Sequence, residues 1–381
     1  MIYFDNAASG GRKPDLVQNA VYSAIKVCAN PGRSGHALAL ACANTLQDTR
    51  QTLNAFFGGY GFERVVFTKN CTEALNIALL GVLKQGDHVI ATPMEHNSVL
   101  RPLEYLQKLG VITYDICALS ENGNVAPQSI SSLVKPNTRL VAVSTASNVT
   151  GAIPPLKKIR EALPERVLLL CDGAQGGGHI PIDMQGAGMD LLTLAGHKGL
   201  LGIQGSGALL FSERVNPKPI LFGGTGSVSV SLDMPDFYPD ALEAGTVSYP
   251  AIVSLLEGVR YLSKNFETVQ KTTRSLTAYL IKHLKKMPKY RLFSEPNECG
   301  IVAFSHEFIQ SETLSSLLSE HYGIAVRGGL HCAPLIHDAL GSQENGLVRV
   351  SFSHFNYKAE IDELIFALHQ LQEPSTLSNF L

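Results

Sequence analysis

The sequence predicts an α/β fold, with a large domain on a mostly parallel seven-stranded sheet and a smaller α+β domain. Two observations carry this. Short apolar runs of strand length alternate with helical periodicity through the first two-thirds of the 381 residues, and such alternation signals a parallel sheet covered on both faces. After about residue 255 the texture changes to long helical stretches separated by shorter strands. The length suits about two domains at roughly 150 residues each. The 45% hydrophobic content is compatible with a large buried core.

Strands of the large sheet are expected at Arg64–Phe67, His88–Ala91, Thr113–Cys117, Leu140–Ser144, Val167–Cys171, Leu191–Leu194 and Ala208–Phe211, with helices at Thr72–Leu83 and Ser98–Leu109. Helices over Ala251–Phe266 and Val269–Leu284 then lead to strands near Tyr290–Phe293 and Gly300–Phe304. A helix Ser311–His321, a strand Leu347–Ser351 and a closing helix Lys358–Leu371 complete the chain. The large domain is expected at residues 15–255 and the small one at 1–14 and 256–381, with a frayed tail after Gln372.

Composition excludes several classes. The formal charge of −2, from 31 basic and 33 acidic residues, lacks the basic footprint of a nucleic-acid binder. No run of about 18 apolar residues predicts a membrane span, and the N-terminus has no signal-peptide pattern. The seven cysteines (28, 42, 71, 117, 171, 299 and 332) form an odd, scattered set, which suits neither a disulfide framework nor a zinc site. The expectation is a cytoplasmic protein with free thiols and no metal, in which the glycosylation-like Asn148-Val149-Thr150 carries no meaning.

In parallel sheets ligands bind beyond the carboxyl ends of the strands, and the chemically loaded residues lie there. Lys198, in Ala195-Gly196-His197-Lys198-Gly199, follows a strand and is flanked by glycines. Desolvation there would lower its pKa and make it a Schiff-base nucleophile, although a lone Gly-Lys pair is more often a surface turn. Asp172 ends an apolar strand, where a carboxylate can face a pyridinium nitrogen or simply cap a helix. Asn70-Cys71-Thr72-Glu73 runs from a strand end into a helix, so it is both a capping box and an anion site. His96 can stack on an aromatic ring and shuttle protons as a catalytic residue, or be a satisfied structural histidine.

Cys332 lies in the loop Arg327-Gly328-Gly329-Leu330-His331-Cys332-Ala333-Pro334. A cysteine needs nearby positive charge to be a thiolate at neutral pH, and Arg327 and His331 are the candidates to supply it; an inert core cysteine is the alternative. Arg349, inside a strand pattern, must be paired if buried, either with a ligand carboxylate or within the protein.

Taken in order, Tyr3–Ala8, Asn30–His36, Glu95–Ser98, Ser147–Gly151, Asp172–Gln175, Gly196–Lys198, Glu243–Thr246, Gly329–Ala333 and Arg349–Phe352 resemble the cysteine desulfurases of the class V aminotransferase group, fold-type I enzymes that use pyridoxal 5'-phosphate (PLP). The resemblance implies a homodimer that converts L-cysteine, or L-selenocysteine, and hands the chalcogen to an acceptor protein. Lys198 would carry PLP and move protons at the substrate Cα. Asp172 would pair with the ring nitrogen, Gln175 would bond the phenolic oxygen and His96 would stack on the ring. Cys71, Thr72, His197 and the partner subunit's Thr246 would hold the phosphate. Asn148 would line the cofactor and, with Arg349 and Arg327, grip the substrate carboxylate. Cys332 would take the sulfur as a persulfide. Ala195 stands where relatives often have a hydroxyl, Cys71 where threonine is common, Gly173 where alanine is frequent, and Gly-Gly-Leu-His-Cys-Ala where the loop usually reads Ala-Gly-His-His-Cys-Ala. Selenocysteine lysis, another class V reaction such as transamination or epimerisation, and a non-catalytic scaffold are the rival readings.

Overall fold

The computed structural model describes residues 1–27, 29–31, 34–120 and 123–372. The tail after Gln372, Cys28, and Gly32 and Arg33 of the Asn30–His36 segment lie outside the described residues.

The strands are β1 (Ile2–Tyr3), β2 (Val65–Thr68), β3 (Asp87–Ala91), β4 (Ile112–Ile116), β5 (Thr138–Ser144), β6 (Leu168–Asp172), β7 (Leu191–Ala195), β8 (Gly207–Phe211), β9 (Tyr290–Leu292), β10 (Ile301–His306), β11 (Ile324–Ala325) and β12 (Val348–Ser351). Seven of them form one sheet in the order β2-β8-β7-β6-β5-β3-β4. Only β8 runs antiparallel to its neighbours, so the mostly parallel seven-stranded sheet is as expected. The central strands are continuous apolar runs because both faces are covered. Side-chain alternation sends Leu169, Cys171, Leu192 and Leu194 into one core, and Leu168, Leu170 and Leu191 into the other.

A second, three-stranded antiparallel sheet has the order β12-β10-β9. It packs with Leu276, Leu280, Leu314 and Leu364 around Phe4, Phe304 and Phe352. The chain start reaches this layer because β1 pairs in parallel with β11. Asp5 to Lys13 then cross back to the end of β7, where Gly10 N donates to His197 O at 2.8 Å. No helix among the described residues is long and apolar enough to cross a membrane.

Two features differ from the expectation. The two helices read at Ala251–Phe266 and Val269–Leu284 are one continuous helix, Tyr249–Leu284. Its first half buries Ile252, Leu255 and Val259 in the large core, and its second half buries Leu276, Leu280 and Leu284 in the other. The apolar stripe therefore breaks between the two without the helix ending. Helices at Asp15–Val27 and Ala37–Phe56, which pack on this long helix, escaped the periodicity argument. The buried face of Ala37–Phe56 consists of Ala39, Cys42, Thr49, Arg50 and Leu53, too small and polar to stand out.

The long helix also braces the segment that carries Lys198. Gly258 sits so close that a Cβ there would collide with the carbonyl oxygen of Leu200. Gly258→Ala is therefore expected to cost about 1–3 kcal/mol by overpacking, read as a lower urea midpoint at unchanged slope. An unchanged midpoint would show that the helix does not press on this segment.

Candidate active site

The geometry starts at the end of β7. Gly196 and Gly199 cannot carry a Cβ, because the Ser206 side chain fills the space at one and the Gly177 carbonyl at the other. The turn closes through Leu201 N to Lys198 O at 3.0 Å and Gly202 N to Gly196 O at 2.8 Å. From outside, the carbonyl oxygen of His197 accepts from Gly10 N and, at 3.2 Å, from Lys13 Nζ. Lys198 is thereby held half-buried. Burial lowers its pKa below the usual amine value and the charge of Asp172 opposes that shift, yet no ion pair forms between the two.

Asp172, at the end of β6, is buried, and its Oδ1 accepts from Ala174 N at 2.9 Å. The sulfur of Cys71 lies 3.3 Å from both Asp172 Oδ1 and Thr193 Oγ1. Burial and the Asp172 charge push the Cys71 thiol pKa well up, so the thiol stays protonated and donates to the carboxylate. Cys71 opens the helix Cys71–Leu80, where Asn70 Oδ1 caps Glu73 N at 2.9 Å. The N–H groups of Cys71 and Thr72 have no acceptor among the described residues, as the first turn of a helix leaves them. A chain of contacts continues from Thr72 Oγ1 to Ser98 Oγ at 2.8 Å and on to His96 Nδ1 at 2.9 Å. His96 Nδ1 also accepts from Ser98 N at 3.1 Å, which leaves the ring proton on Nε2. Gln175 Nε2 donates to Ala7 O at 3.0 Å.

Arg349 lies within β12 and is 1% exposed. Its Nη2 donates to Asp5 Oδ1 at 3.0 Å and its Nη1 to Asn148 O at 2.9 Å, while Nε has no protein partner. Arg327 bridges Arg349 through backbone hydrogen bonds of 3.2 and 2.7 Å. Asn148 Nδ2 donates to His331 O at 2.7 Å, leaving its Oδ1 without a partner.

One cavity of about 230 Å³ gathers Lys198, Asp172, Gln175, His96, Cys71, Thr72, His197, Asn148, Arg327 and Arg349. Cys332 is not in its wall. It is exposed, and it lines a neighbouring groove of about 530 Å³ that shares Thr72, His96 and Ser98 with the cavity, so it stands at the mouth. Cys42, Cys71, Cys117, Cys171 and Cys299 are buried. Arg327 Nη2 is 4.0 Å from the Cys332 sulfur. His331 cannot lend the thiol positive charge: it is 3% exposed and its Nε2 faces Leu347 O at 3.0 Å. Burial, with Arg349 and His337 nearby, pulls its pKa down to about 2. Thr246 is exposed and lines a different pocket beside Arg50 and Glu243, outside the Lys198 cavity of its own chain.

Three residues carried no assigned role in the sequence. Asp5 belongs to the Tyr3–Ala8 segment, but its pairing with Arg349 spans 344 positions. Lys13 has no motif of its own. Glu95 neighbours His96 and is fully buried, accepting from Thr92 Oγ1 at 2.7 Å and from Ser144 N and Oγ at 2.8 and 2.9 Å. Burial raises its pKa to about 8.

Comparison with known proteins agrees with this geometry. The family model for class V aminotransferases matches residues 2–364. A probable cysteine desulfurase of Methanothermobacter thermautotrophicus is 32% identical, over 97% of this chain and 94% of that protein. One from Aeropyrum pernix is 31% identical over the same shares, 97% and 94%. The apo structure of a cysteine desulfurase from Thermococcus onnurineus superposes with a TM-score of 0.89 at 28% identity, covering 97% of this chain and 94% of that one. The Escherichia coli cysteine desulfurase CsdA, in an S-sulfonic acid form, gives 0.86 at 27% identity, with coverage of 97% and 94%. On sequence and architecture together, the chain belongs to the class V aminotransferase family, among its cysteine desulfurases.

Proposed function

We propose that the chain is a PLP-dependent cysteine desulfurase, working in the cytoplasm as a homodimer, that moves the sulfur of L-cysteine onto Cys332, releases L-alanine and passes the sulfur to an acceptor protein. The observation that carries this reading is one cavity uniting a half-buried lysine, a strand-end carboxylate and a free helix N-terminus, with an exposed cysteine at its mouth.

The donor set fits PLP. The free N–H groups of Cys71 and Thr72, with the Thr72 hydroxyl and His197, suit a phosphate at a helix N-terminus. Asp172 suits a pyridinium nitrogen, with Oδ1 oriented by the Cys71 thiol and Ala174 N. Gln175 keeps one amide hydrogen for the phenolic oxygen, and His96 offers a ring face. Thr246 would serve the partner subunit's cavity, which accounts for its place outside its own. When bound, PLP supplies an electron sink for charge at the substrate Cα.

The protein's own groups do the rest. Lys198 would hold the cofactor and, once released from it, move the proton at Cα. Its lowered pKa makes a neutral amine accessible. Arg349, with Arg327, would bind the substrate carboxylate; Asp5 and Asn148 O keep the guanidinium fixed while Nε is left free. Asn148 would line the cofactor beside them. The Cys332 thiolate forms a bond to the substrate sulfur as the Cβ–S bond breaks, and that electron pair stays on the carbon and takes up a proton. Cysteine and an enzyme thiol thus become alanine and an enzyme persulfide, with no outside oxidant. Residues 1–14 and 256–381 would form the smaller domain, which carries Arg349 and the Cys332 loop.

Arg349→Ala is expected to raise KM for L-cysteine roughly 10- to 100-fold, as the loss of a charge-assisted contact implies, with kcat changed far less. An unchanged KM would make Arg349 solely the partner of Asp5. Cys332→Ser tests the sulfur step itself. The purified variant should keep the visible absorption of the cofactor yet form no alanine from L-cysteine, since a hydroxyl cannot accept sulfur as a thiolate does. Alanine formation at the wild-type rate would overturn the proposal.

A further inference from the structure

We propose that His331 is the positioning residue for Cys332: from beneath the loop it holds the cysteine in a left-handed backbone conformation that sets the sulfur at the cavity mouth. The inference rests on the reading that Cys332 receives the sulfur, and it concerns how the thiol is kept in place.

His331 and Cys332 have φ values of 52° and 57°, two consecutive non-glycine residues in the left-handed region. That region is disfavoured for residues with a Cβ and persists only where the surroundings over-determine it. The fastenings are visible. His331 Nε2 faces Leu347 O at 3.0 Å, and because a carbonyl can only accept, Nε2 carries the ring proton. The carbonyl oxygen of His331 accepts from Asn148 Nδ2 at 2.7 Å. The carbonyl oxygen of Cys332 accepts from Asn97 N at 2.7 Å, tying the loop to the helix that follows His96. Leu347 N donates to Gly329 O at 3.1 Å and Ala333 N to Leu330 O at 3.0 Å.

Of these ties, the ring of His331 is the side-chain anchor that belongs to the strained pair itself. It is buried at 3% exposure on the wall of the Lys198 cavity, with Nε2 committed to Leu347 and Nδ1 without a protein partner, and no hydrogen bond joins the ring to the thiol. It stays neutral across the physiological range, since its pKa is pulled down to about 2, and the tie to Leu347 does not switch with pH. Without it, the backbone at His331 and Cys332 can relax towards negative φ. That relaxation re-aims the Cys332 Cβ and carries the sulfur away from Arg327 Nη2, now 4.0 Å distant, and from the groove shared with His96.

The test uses the full-length holoenzyme with His331→Leu, which keeps bulk but has no donor, and His331→Gln, which keeps an N–H at similar reach. For L-cysteine, the leucine variant is expected to lose about 10-fold or more in kcat, the scale at which misplaced reacting groups cost rate, with KM near the wild-type value. L-selenocysteine, whose weaker carbon–selenium bond can break without the nucleophile, should be turned over almost normally, and the glutamine variant should regain most of the cysteine rate. If the leucine variant does not fold, His331→Asn replaces it; asparagine tolerates positive φ but is too short to reach Leu347 O, and the same split between substrates is expected. Normal cysteine turnover in these variants, or equal loss with both substrates and no rescue by glutamine, would overturn the positioning role. Absence of a persulfide on wild-type Cys332 would instead remove the underlying reading, so the two failures are distinguishable.

Discussion

Two donors, the backbone N–H of Gly10 and the ammonium of Lys13, converge on the carbonyl oxygen of His197, and this contact fixes the turn from which Lys198 enters the cavity. Around that point the sequence has little freedom. Gly196 and Gly199 are needed because neighbouring atoms occupy the space of a Cβ, and Gly258 brings the long helix against the next carbonyls. Residues 5 to 13 serve both sides of the site: Asp5 holds Arg349, the carbonyl of Ala7 takes Gln175, and Gly10 holds the lysine turn. A short N-terminal segment thus links the groups proposed to bind the substrate carboxylate to the amine proposed to carry the cofactor.

The electrostatics of the cavity follow from burial. His197, with its pKa down at about 4, and His331, at about 2, are neutral at physiological pH, and burial also lowers that of His96. Positive charge therefore comes from Arg349, Arg327 and whatever fraction of Lys198 is protonated, with the free N–H groups of the helix Cys71–Leu80 adding partial charge. Asp172 is the facing carboxylate, and the Cys71 thiol that donates to it keeps its oxygen oriented. Such a site suits a ligand with a phosphate at one end and a carboxylate at the other. Lys13, with a pKa lowered by burial to about 8, lies just behind it.

Much of this was legible in the chain order of residues. The seven strands of the large sheet were readable because strands buried on both faces are continuous apolar runs, and Lys198, Asp172, His96 and Asn148 were readable because each follows such a run. What escaped depends on contacts between distant positions. The pairing of Arg349 with Asp5 joins the two ends of the chain. The unity of the helix Tyr249–Leu284 was hidden because its halves face different cores. His331 was read as a charged neighbour for Cys332 because adjacency in sequence does not reveal burial; two positive φ values turn its ring inward and the cysteine outward. Thr246, placed by resemblance at a partner's phosphate, lines a separate pocket of its own chain beside Arg50 and Glu243.

The most direct test of the central claim, that sulfur leaves L-cysteine for the exposed thiol at the mouth of this cavity, is mass spectrometry of the wild-type protein treated with L-cysteine in the absence of added thiols. One extra sulfur atom on the peptide containing Cys332, with Cys71, Cys171 and the other buried thiols unmodified, is the expected result. Alanine released with no sulfur retained on Cys332, or with sulfur on another cysteine, would contradict it.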